Sequence, residues 1–164
     1  IKMAVDAKTG QPIFAGSTSV GLRKVGSYQV SGKPFTTGST NLDAGKVHLV
    51  EFSSVAKSFT VINNNSNAGE DIRVHFNSGS SDAVTVPGDA GAKTIANTDD
   101  VYANFHYITI PAGNGSMTFD VKCKKFYISN PPGATDDLNY QVLAELTEIP
   151  SSRMYHLTGS GITE

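Results

Sequence analysis

KVHLVEFSSVAKSFTVIN, the sequence of residues 46–63, decides the fold class of this chain. Its two ends, residues 46–52 and 58–63, are rich in the β-branched and aromatic residues that favour strands. The second run ends in NNNSNAG at residues 63–69, a dense cluster of turn-forming residues. We therefore predict two β-strands here, followed by a turn.

After this turn, apolar and polar residues alternate with the period of a half-buried strand. Ile72, Val74 and Phe76 alternate with Arg73 and His75, and successive residues of a strand point to opposite faces. The three apolar side chains are therefore predicted to face the core, and His75 is predicted to point outward into solvent. Further strand-like runs follow at residues 84–86, 107–110, 116–123 and 126–128.

A second set of alternating residues includes the single cysteine. Met117, Phe119, Val121 and Cys123 fall on one face of a predicted strand, and we expect this face to share the core with the set that begins at Ile72. One cysteine cannot form a disulfide within the chain. Cys123 is therefore interpreted as a small buried apolar side chain rather than as a reactive thiol.

The segment at residues 138–149 fits two different periods. A strand would bury every second residue from Tyr140 to Leu146, whereas a helix would bury Leu138, Val142 and the residues one turn further on. We predict a strand, because a strand would complete the sheet.

Two segments in the second half of the chain resemble each other. TVPGDAGAKT at residues 85–94 and TIPAGNGSMT at residues 109–118 have threonine, proline and glycine at equivalent positions. We interpret both as hairpin corners, each a strand ended by proline, a glycine loop and a returning strand. From residue 46 onward the chain thus contains roughly eight strands separated by turns. This layout predicts an all-β fold, an antiparallel jelly roll or β-sandwich, with its body at residues 46–149.

The first 45 residues have a different character. Glycine recurs between short apolar pieces from Gly10 to Gly45, and each glycine adds to the entropy lost on ordering. We therefore predict that residues 1–45 form an extended N-terminal arm or short edge strands that contact a partner; ordinary outer strands of the chain's own sandwich are the alternative. Residues 150–164 are predicted to be a C-terminal tail along the body or a neighbour. The arm residues expected to contact the partner are Ile13, Phe14, Val20, Leu22, Tyr28, Val30 and Phe35.

Charge is balanced and scattered along the chain. The 13 basic and 15 acidic side chains leave a formal net charge of −2, and the sequence lacks the basic stripe that neutralises nucleic-acid phosphates. No apolar stretch approaches the roughly 20 residues that cross a bilayer. We therefore expect no nucleic-acid partner and no membrane partner.

The histidines do not have the spacing of a metal site. None belongs to an H-x-H or H-E-x-x-H arrangement that would bring two imidazoles to one ion, and His48 and Glu51 face opposite sides of a predicted strand. The sequence also lacks a nucleophile elbow and a phosphate-binding loop. We therefore predict a non-enzymatic protein without a cofactor, a metal or a small-molecule substrate. The histidines are His48, His75, His106 and His156.

Three pairs of adjacent carboxylates lie in turn-forming surroundings. Such pairs are commonly solvated turns, and we favour this interpretation. The alternative is a surface calcium site, which requires carbonyl oxygens to converge on the same ion. The pairs are Glu70-Asp71, Asp99-Asp100 and Asp136-Asp137.

Tyr102, Phe105 and Tyr107 form a close cluster of aromatic residues. Sugar-binding modules stack sugar rings on exposed flat aromatic side chains, so a carbohydrate- or receptor-binding module is our second hypothesis. The chain has no tryptophan, although such sites usually include one. We therefore favour use of this cluster in the core or as an interface anchor.

Several segments together resemble a known class of proteins. FTVINN at 59–64, IRVHF at 72–76, TVPG at 85–88 and FYISN at 126–130, with MYHLTGSGIT at 154–163, resemble small virion proteins of tailed bacteriophages, of the head decoration or cement type. The resemblance implies a jelly-roll domain on the outside of an icosahedral head, often a trimer, that bridges major capsid subunits. It therefore implies a virion location, with the major capsid protein and copies of the chain itself as partners. A tail or fibre component is a further alternative.

Overall fold

The computed structural model describes residues 33–77, 84–86, 93–94 and 100–155. In these residues, helix is limited to α1 (Asp100–Ala103) and a 3-10 turn at Ser151–Arg153. The strands pair antiparallel, except that β4 runs parallel to β2. The predicted all-β, antiparallel fold class is therefore confirmed. The strands of the described part are β1 (Lys33–Leu42), β2 (Lys46–Asn63), β3 (Ile72–His75), β4 (Val84–Val86), β5 (Lys93–Thr94), β6 (Ile108–Ile110), β7 (Ser116–Phe119), β8 (Cys123–Ser129) and β9 (Leu138–Pro150).

β2 joins the two strand-like runs that open the predicted body. The prediction of separate strands at residues 46–52 and 58–63 is corrected, because the residues between them also belong to the strand. Register shifts interrupt the pairing over this stretch, and Val55 and Ala56 are both buried although they are adjacent. The chain therefore bends here and does not end a strand.

The bend places the two halves of β2 in different parts of the sheet. The N-terminal half lies between β8 on one side and β4 and β5 on the other, whereas the C-terminal half lies between β7 and β9. His48 in the first half shares a hydrogen bond of 3.1 Å with the Tyr140 hydroxyl of β9, although Tyr140 pairs laterally with Asn63. This contact crosses the core, so the two groups of strands face each other as in a β-sandwich.

Phenylalanine rings fill the space between the two groups of strands. The Phe59 ring stacks on Phe126 and Phe119, with centroids 4.1 Å and 4.8 Å away. Phe52 lies 5.8 Å from Phe126, and Phe35 meets the Phe52 ring edge-on at 5.2 Å. Such aromatic pairs contribute about 0.5–1.5 kcal/mol each beyond the burial of their area. One connected set of rings therefore joins β1, β2, β7 and β8.

β9 confirms that the segment at residues 138–149 is a strand. Its side chains alternate, so that Val142 and Leu146 lie in the core and Leu143 lies on the surface. The strand pairs with β1 on one side and with β2 on the other. These neighbours satisfy the backbone N–H and C=O groups that a helix would have satisfied internally.

Part of the second predicted core set lies outside the core. Phe119 and Cys123 are buried as predicted, and burial raises the pKa of the Cys123 thiol to about 12. Met117 and Val121 are exposed. β7 ends at Phe119, so the alternation does not continue to Val121. Met117 lies on an outer strand that, in the described residues, pairs with β2 alone.

The two predicted hairpin corners are not hairpins. β4 and β5 both pair with β2, while β6 pairs with β3 and β7 pairs with β2. Within the described residues, neither pair of consecutive strands is hydrogen-bonded to each other. β6 and β7 therefore lie against different neighbours, β3 and β2, whereas β4 and β5 both lie against β2.

Part of the predicted N-terminal arm belongs to the sheet. β1 pairs antiparallel with β9, so the body includes residues 33–42, ahead of the predicted start at residue 46. A Cβ atom added to Gly38 would meet the Tyr140 carbonyl oxygen at 2.6 Å, so this close approach requires glycine. Phe35 is half-buried against the core. The other predicted contact residues, Ile13, Phe14, Val20, Leu22, Tyr28 and Val30, lie outside the described residues, as does the tail from residue 156.

Two leucines of β9 give a matched test of this core. Leu146 is 5% exposed and Leu143 is 47% exposed, because they lie on opposite faces of the strand. Leu146→Ala should lower the free energy of unfolding by about 2–5 kcal/mol, as large-to-small core substitutions do. Leu143→Ala should change it by less than about 1 kcal/mol. Urea unfolding of both variants measures the difference, and equal losses would contradict the assignment of the two faces.

Candidate functional site

The sheet formed by β8, β3 and β6 is covered on its second face. Val101 and Tyr102 of α1 pack against Val47 and Tyr127, and these four buried side chains form a small core of their own. The main core lies on the other face of the same strands. β3 is therefore buried on both faces, unlike the half-buried strand that its sequence period predicts.

His75 is the clearest consequence of this second cover. The prediction that His75 points into solvent is wrong: its ring is buried and stacks on Tyr127, with centroids 5.6 Å apart. Its Nε2 atom lies 3.0 Å from the Ser129 Oγ, and that oxygen lies 2.6 Å from the Tyr102 hydroxyl. Its Nδ1 atom donates a hydrogen bond to the carbonyl oxygen of Asn77. Side chains from three separate segments thus meet in one buried chain of hydrogen bonds.

The donor and acceptor in each of these hydrogen bonds follow from the Asn77 carbonyl at the end of the series. A carbonyl oxygen can only accept, so the His75 Nδ1 atom must carry the proton, and Nε2 must accept from the Ser129 hydroxyl. Ser129 in turn accepts from the Tyr102 hydroxyl. Burial lowers the pKa of His75 to about 4, against the opposing effect of the Asn77 carbonyl. His75 is therefore neutral at pH 7, as this arrangement requires.

The Ser129 hydroxyl and the His75 ring have the atoms of a nucleophile and its general base, but neither group is exposed to solvent. Ser129 and His75 are both buried beneath α1. The contact holds α1 on the sheet and satisfies polar groups that would otherwise be buried without partners.

Arg73 lies at the border of the same cover. Its guanidinium carbon is 4.3 Å from the centroid of the Tyr107 ring and 4.9 Å from that of Tyr102. Cations in this position are attracted by the ring quadrupole, by about 0.5–2 kcal/mol. Its buried Nε atom has no hydrogen-bond partner among the described residues. The two rings therefore hold the charge of Arg73 in place.

Phe105 protrudes from this border. Its side chain is 77% exposed, and its backbone has a φ of 56°, in the left-handed region. The Phe105 N–H donates to the Tyr102 carbonyl at 3.3 Å, and the His106 N–H donates to the Val101 carbonyl at 2.8 Å. The Tyr107 ring centroid lies 6.1 Å from that of Phe105. We call this exposed, braced side chain the Phe105 knob.

The knob does not have the form of a sugar platform. Tyr102 is buried, and the Tyr107 ring is covered by Arg73 and flanked by Phe105. Of the three aromatic side chains in the predicted cluster, Phe105 alone presents an open ring. Tyr102 thus belongs to the core and Phe105 protrudes; use of the cluster as an interface anchor stays a prediction.

Two of the three carboxylate pairs border one cleft. The turn after β2 and the turn after β8 enclose a space of about 250 Å³, with Leu138, Ala68 and Ala134 as its apolar lining and Glu70 and Asp136 as its carboxylates. We call it the Glu70 cleft. Across the described residues, no three His, Cys, Asp or Glu side chains come together as a metal-binding group.

The carboxylates near the cleft are used in turns. The two Glu70 oxygens accept hydrogen bonds from the Asn67 side-chain amide at 2.7 Å and from its backbone N–H at 2.9 Å, and these bonds lower the pKa of Glu70. Asp71 accepts from the Ala112 N–H at 3.0 Å, and Asp136 from the Thr135 hydroxyl at 3.0 Å.

The remaining predicted candidates are not brought together. His48 is buried beside Tyr140, and burial lowers its pKa, with Asp43 acting in the opposite direction. Glu51 is exposed on the same strand, facing away from His48. His106 lies in the turn that carries the knob. Asp99 and His156 lie outside the described residues.

Comparison with family models, curated proteins and solved structures returned no match to this chain. No helix in the described residues is both long enough and apolar enough to cross a membrane.

The buried His75 should make folding depend on pH. The unfolded chain takes up a proton on this histidine near pH 6.5, whereas the folded chain does so only near pH 4. The unfolded state therefore binds more protons between these values, and stability falls as the pH falls through this window, by up to about 3 kcal/mol in total. His75→Gln should remove most of this loss. Urea unfolding of both proteins at about pH 7 and about pH 5 measures the difference.

The comparison isolates His75, because His48 is present in both proteins and its own contribution cancels. The same loss of stability on acidification in the wild type and in His75→Gln would contradict the assigned role of His75.

Proposed function

We propose that this chain is a non-enzymatic virion structural protein that binds the outside of a bacteriophage capsid and stabilises it. One observation carries the proposal. β1 is an edge strand in the described part of the sheet, where it pairs with β9 alone, and it directly follows residues 1–32 in the chain. The apolar residues of the N-terminal segment are thus joined to the body at an open edge.

An open edge is suited to recognition of another chain. Within the described residues its outward N–H and C=O groups pair with no other strand, so an extended segment of a partner can add to the sheet through main-chain hydrogen bonds. β1 is ten residues long, and it begins with Lys33 and Pro34, two residue types that discourage indiscriminate pairing at sheet edges. The edge therefore favours a specific partner over aggregation.

The interior of the body supports binding over catalysis. The hydrogen-bonded side chains of Ser129 and His75 are buried beneath α1. The Glu70 carboxylate accepts hydrogen bonds from Asn67 within the turn that contains both residues. These polar groups stabilise the fold, which leaves the surface and the N-terminal segment for contact with other proteins. The resemblance to head decoration proteins supports the major capsid protein and copies of this chain, on the virion surface, as the proposed partners.

Binding to capsids is the direct test. The full chain is mixed with purified tailed-phage heads from the source of the gene, after its own copies have been stripped from them. The bound fraction is measured by co-sedimentation, and head stability by the temperature at which DNA is released. We expect saturable binding and a higher release temperature, because a ligand that binds the assembled head stabilises it by mass action.

A variant and a matched control locate the contact. Replacing the six apolar contact residues that lie outside the described ranges by serine should weaken binding at least about tenfold, because side-chain pockets on the partner are then unfilled. The control replaces six polar residues of the same segment by alanine and should bind normally. Absence of binding by the full chain would refute the proposal, and equal binding of both variants would place the contact elsewhere. The control residues are Thr9, Ser17, Thr18, Ser19, Ser27 and Ser31.

A further inference from the structure

The helix α1 and the turn after it are attached to one face of the sheet. Two side chains of α1, Val101 and Tyr102, are buried there. They pack against Val47 and Tyr127 in a small cluster, and the described main core on the other face contains no residue of this segment. A helix of four residues has little stability of its own. Residues 100–107, which we call the α1 cover, can therefore leave the sheet while the main core stays intact.

The hydrogen bonds beneath this cover are complete only while His75 is neutral. Three groups then donate, the Tyr102 hydroxyl, the Ser129 hydroxyl and the His75 Nδ1–H, and each has an acceptor. A second proton on His75 adds a fourth donor, at Nε2, and removes the lone pair to which Ser129 donates. The two hydroxyl groups must then turn, and one of their protons is left without an acceptor among these groups. Because a buried donor without an acceptor costs free energy, protonation favours a conformation in which water reaches this site.

The charges around His75 act in the same direction. The His75 ring stacks on Tyr127, with centroids 5.6 Å apart. The Lys125 Nζ lies 5.5 Å from the centroid of the same tyrosine ring and 3.0 Å from its hydroxyl oxygen. On β3 itself, the Arg73 guanidinium carbon is 4.9 Å from the centroid of Tyr102. An imidazolium would therefore be a third cation beside these two tyrosine rings, and like charges disfavour its formation.

The carboxylate on this face of the described strands is Glu51. It lies opposite Lys125 in the pairing of β2 with β8, whereas His75 lies opposite Tyr127. Glu51 is exposed, so water screens its charge. Its position thus offsets the charge of Lys125 rather than that of an imidazolium. The titratable and charged groups on this face of the strands are Glu51, Arg73, His75, Lys125 and Tyr127, and those of the cover are Asp100, Tyr102, His106 and Tyr107.

The effect of pH on the cover has a definite sign. Burial lowers the pKa of His75 to about 4 in the closed form, whereas its ordinary value is 6.5. Between these values, an open cover binds a proton that the closed cover does not bind. A fall from about pH 7 to about pH 5 therefore multiplies the ratio of open to closed molecules by about 20. The cover is most firmly closed above the ordinary pKa of histidine.

We propose that the α1 cover is an acid-operated flap: when His75 takes up a second proton, residues 100–107 leave the sheet while the main core stays folded. Opening exposes the apolar side chains of Val47 and Tyr127, and it releases Phe105 from the position in which α1 and Tyr107 hold it. The flap is a property of the isolated chain and goes beyond the proposed function. It also differs from unfolding of the chain, since the strands keep their pairing.

Amide hydrogen exchange of the full chain at about pH 7 and about pH 5 tests the flap. The reporters are the N–H groups of Phe105 and His106, which donate to carbonyl oxygens of α1. These bonds break when the cover leaves the sheet, because so short a helix does not persist alone. After correction for the effect of pH on the chemical exchange step, the opening constant should be about 20-fold larger at the lower pH. At both pH values the reporters should exchange at least about tenfold faster than the amides of β9, which require the main core to open.

Two variants separate the proton from the strength of the cover. His75→Gln does not titrate, so the 20-fold rise should shrink to less than about threefold. Tyr102→Phe loses the hydrogen bond to Ser129 but keeps His75. Its cover should open about fivefold more at both pH values, and the rise between them should remain about 20-fold. The matched control is His48→Gln, which removes the buried histidine that contacts Tyr140 in the main core and should leave the rise unchanged.

Three outcomes would overturn the proposal. The opening constant of the reporters could be the same at both pH values in the wild type. The reporters could exchange at the same rate as β9, which would mean that the cover opens only when the whole chain unfolds. The rise could persist in His75→Gln, which would assign it to another group. If that variant does not fold, the wild type and Tyr102→Phe still decide, because both must show opening that increases as the pH falls between 6.5 and about 4.

Discussion

The bend in β2 is the constraint on which the rest of this structure depends. Because one strand runs through both halves of the sandwich, Phe52 before the bend and Phe59 after it lie in the same core, with Phe126 against both rings. β9 and β1 can then pack over the strands that pair with the first half of β2, and the His48–Tyr140 hydrogen bond joins the two layers. The register shifts at the bend interrupt the alternation of side chains between the two faces of β2. This interruption lies where β2 passes from one layer of the sandwich to the other.

The surface properties follow from how the second face of β3 is closed. A helix of four residues covers it, and so short a helix has little stability of its own. Tyr102 and the buried hydrogen bonds through Ser129 to His75 hold it instead. The turn that leaves this helix is consequently rigid enough to carry an exposed phenylalanine in a left-handed backbone conformation.

The strands could be predicted wherever one face of the sheet is buried and the other is exposed to solvent, as in β9, because burial then alternates with a period of two residues. The prediction failed where that condition does not hold. The alternation of apolar and polar residues assigns His75 to the outward face, but His75 lies under α1. Residues 53–57 were predicted to separate two strands, because a bend and a polar surface both interrupt the alternation there. The aromatic cluster was visible because its members are close in sequence. Arg73 and Ser129 join it only through strand pairing, which no local pattern reveals.

The order of strands has a consequence for how the chain is made. β9 lies between β1 and β2 in the sheet, although it is the last strand of the described chain to leave the ribosome. Among the described strands, β1 therefore has no lateral partner until β9 is made, after the 95 residues from 43 to 137, and Lys33 meets Leu146 only at the end. Contacts between segments so distant in sequence form slowly, because the entropy of closing the loop is lost before strand pairing can compensate for it. Until then the facing edges of β1 and β2 are open to other nascent chains, which makes the interval before β9 emerges the period of greatest risk for misassembly.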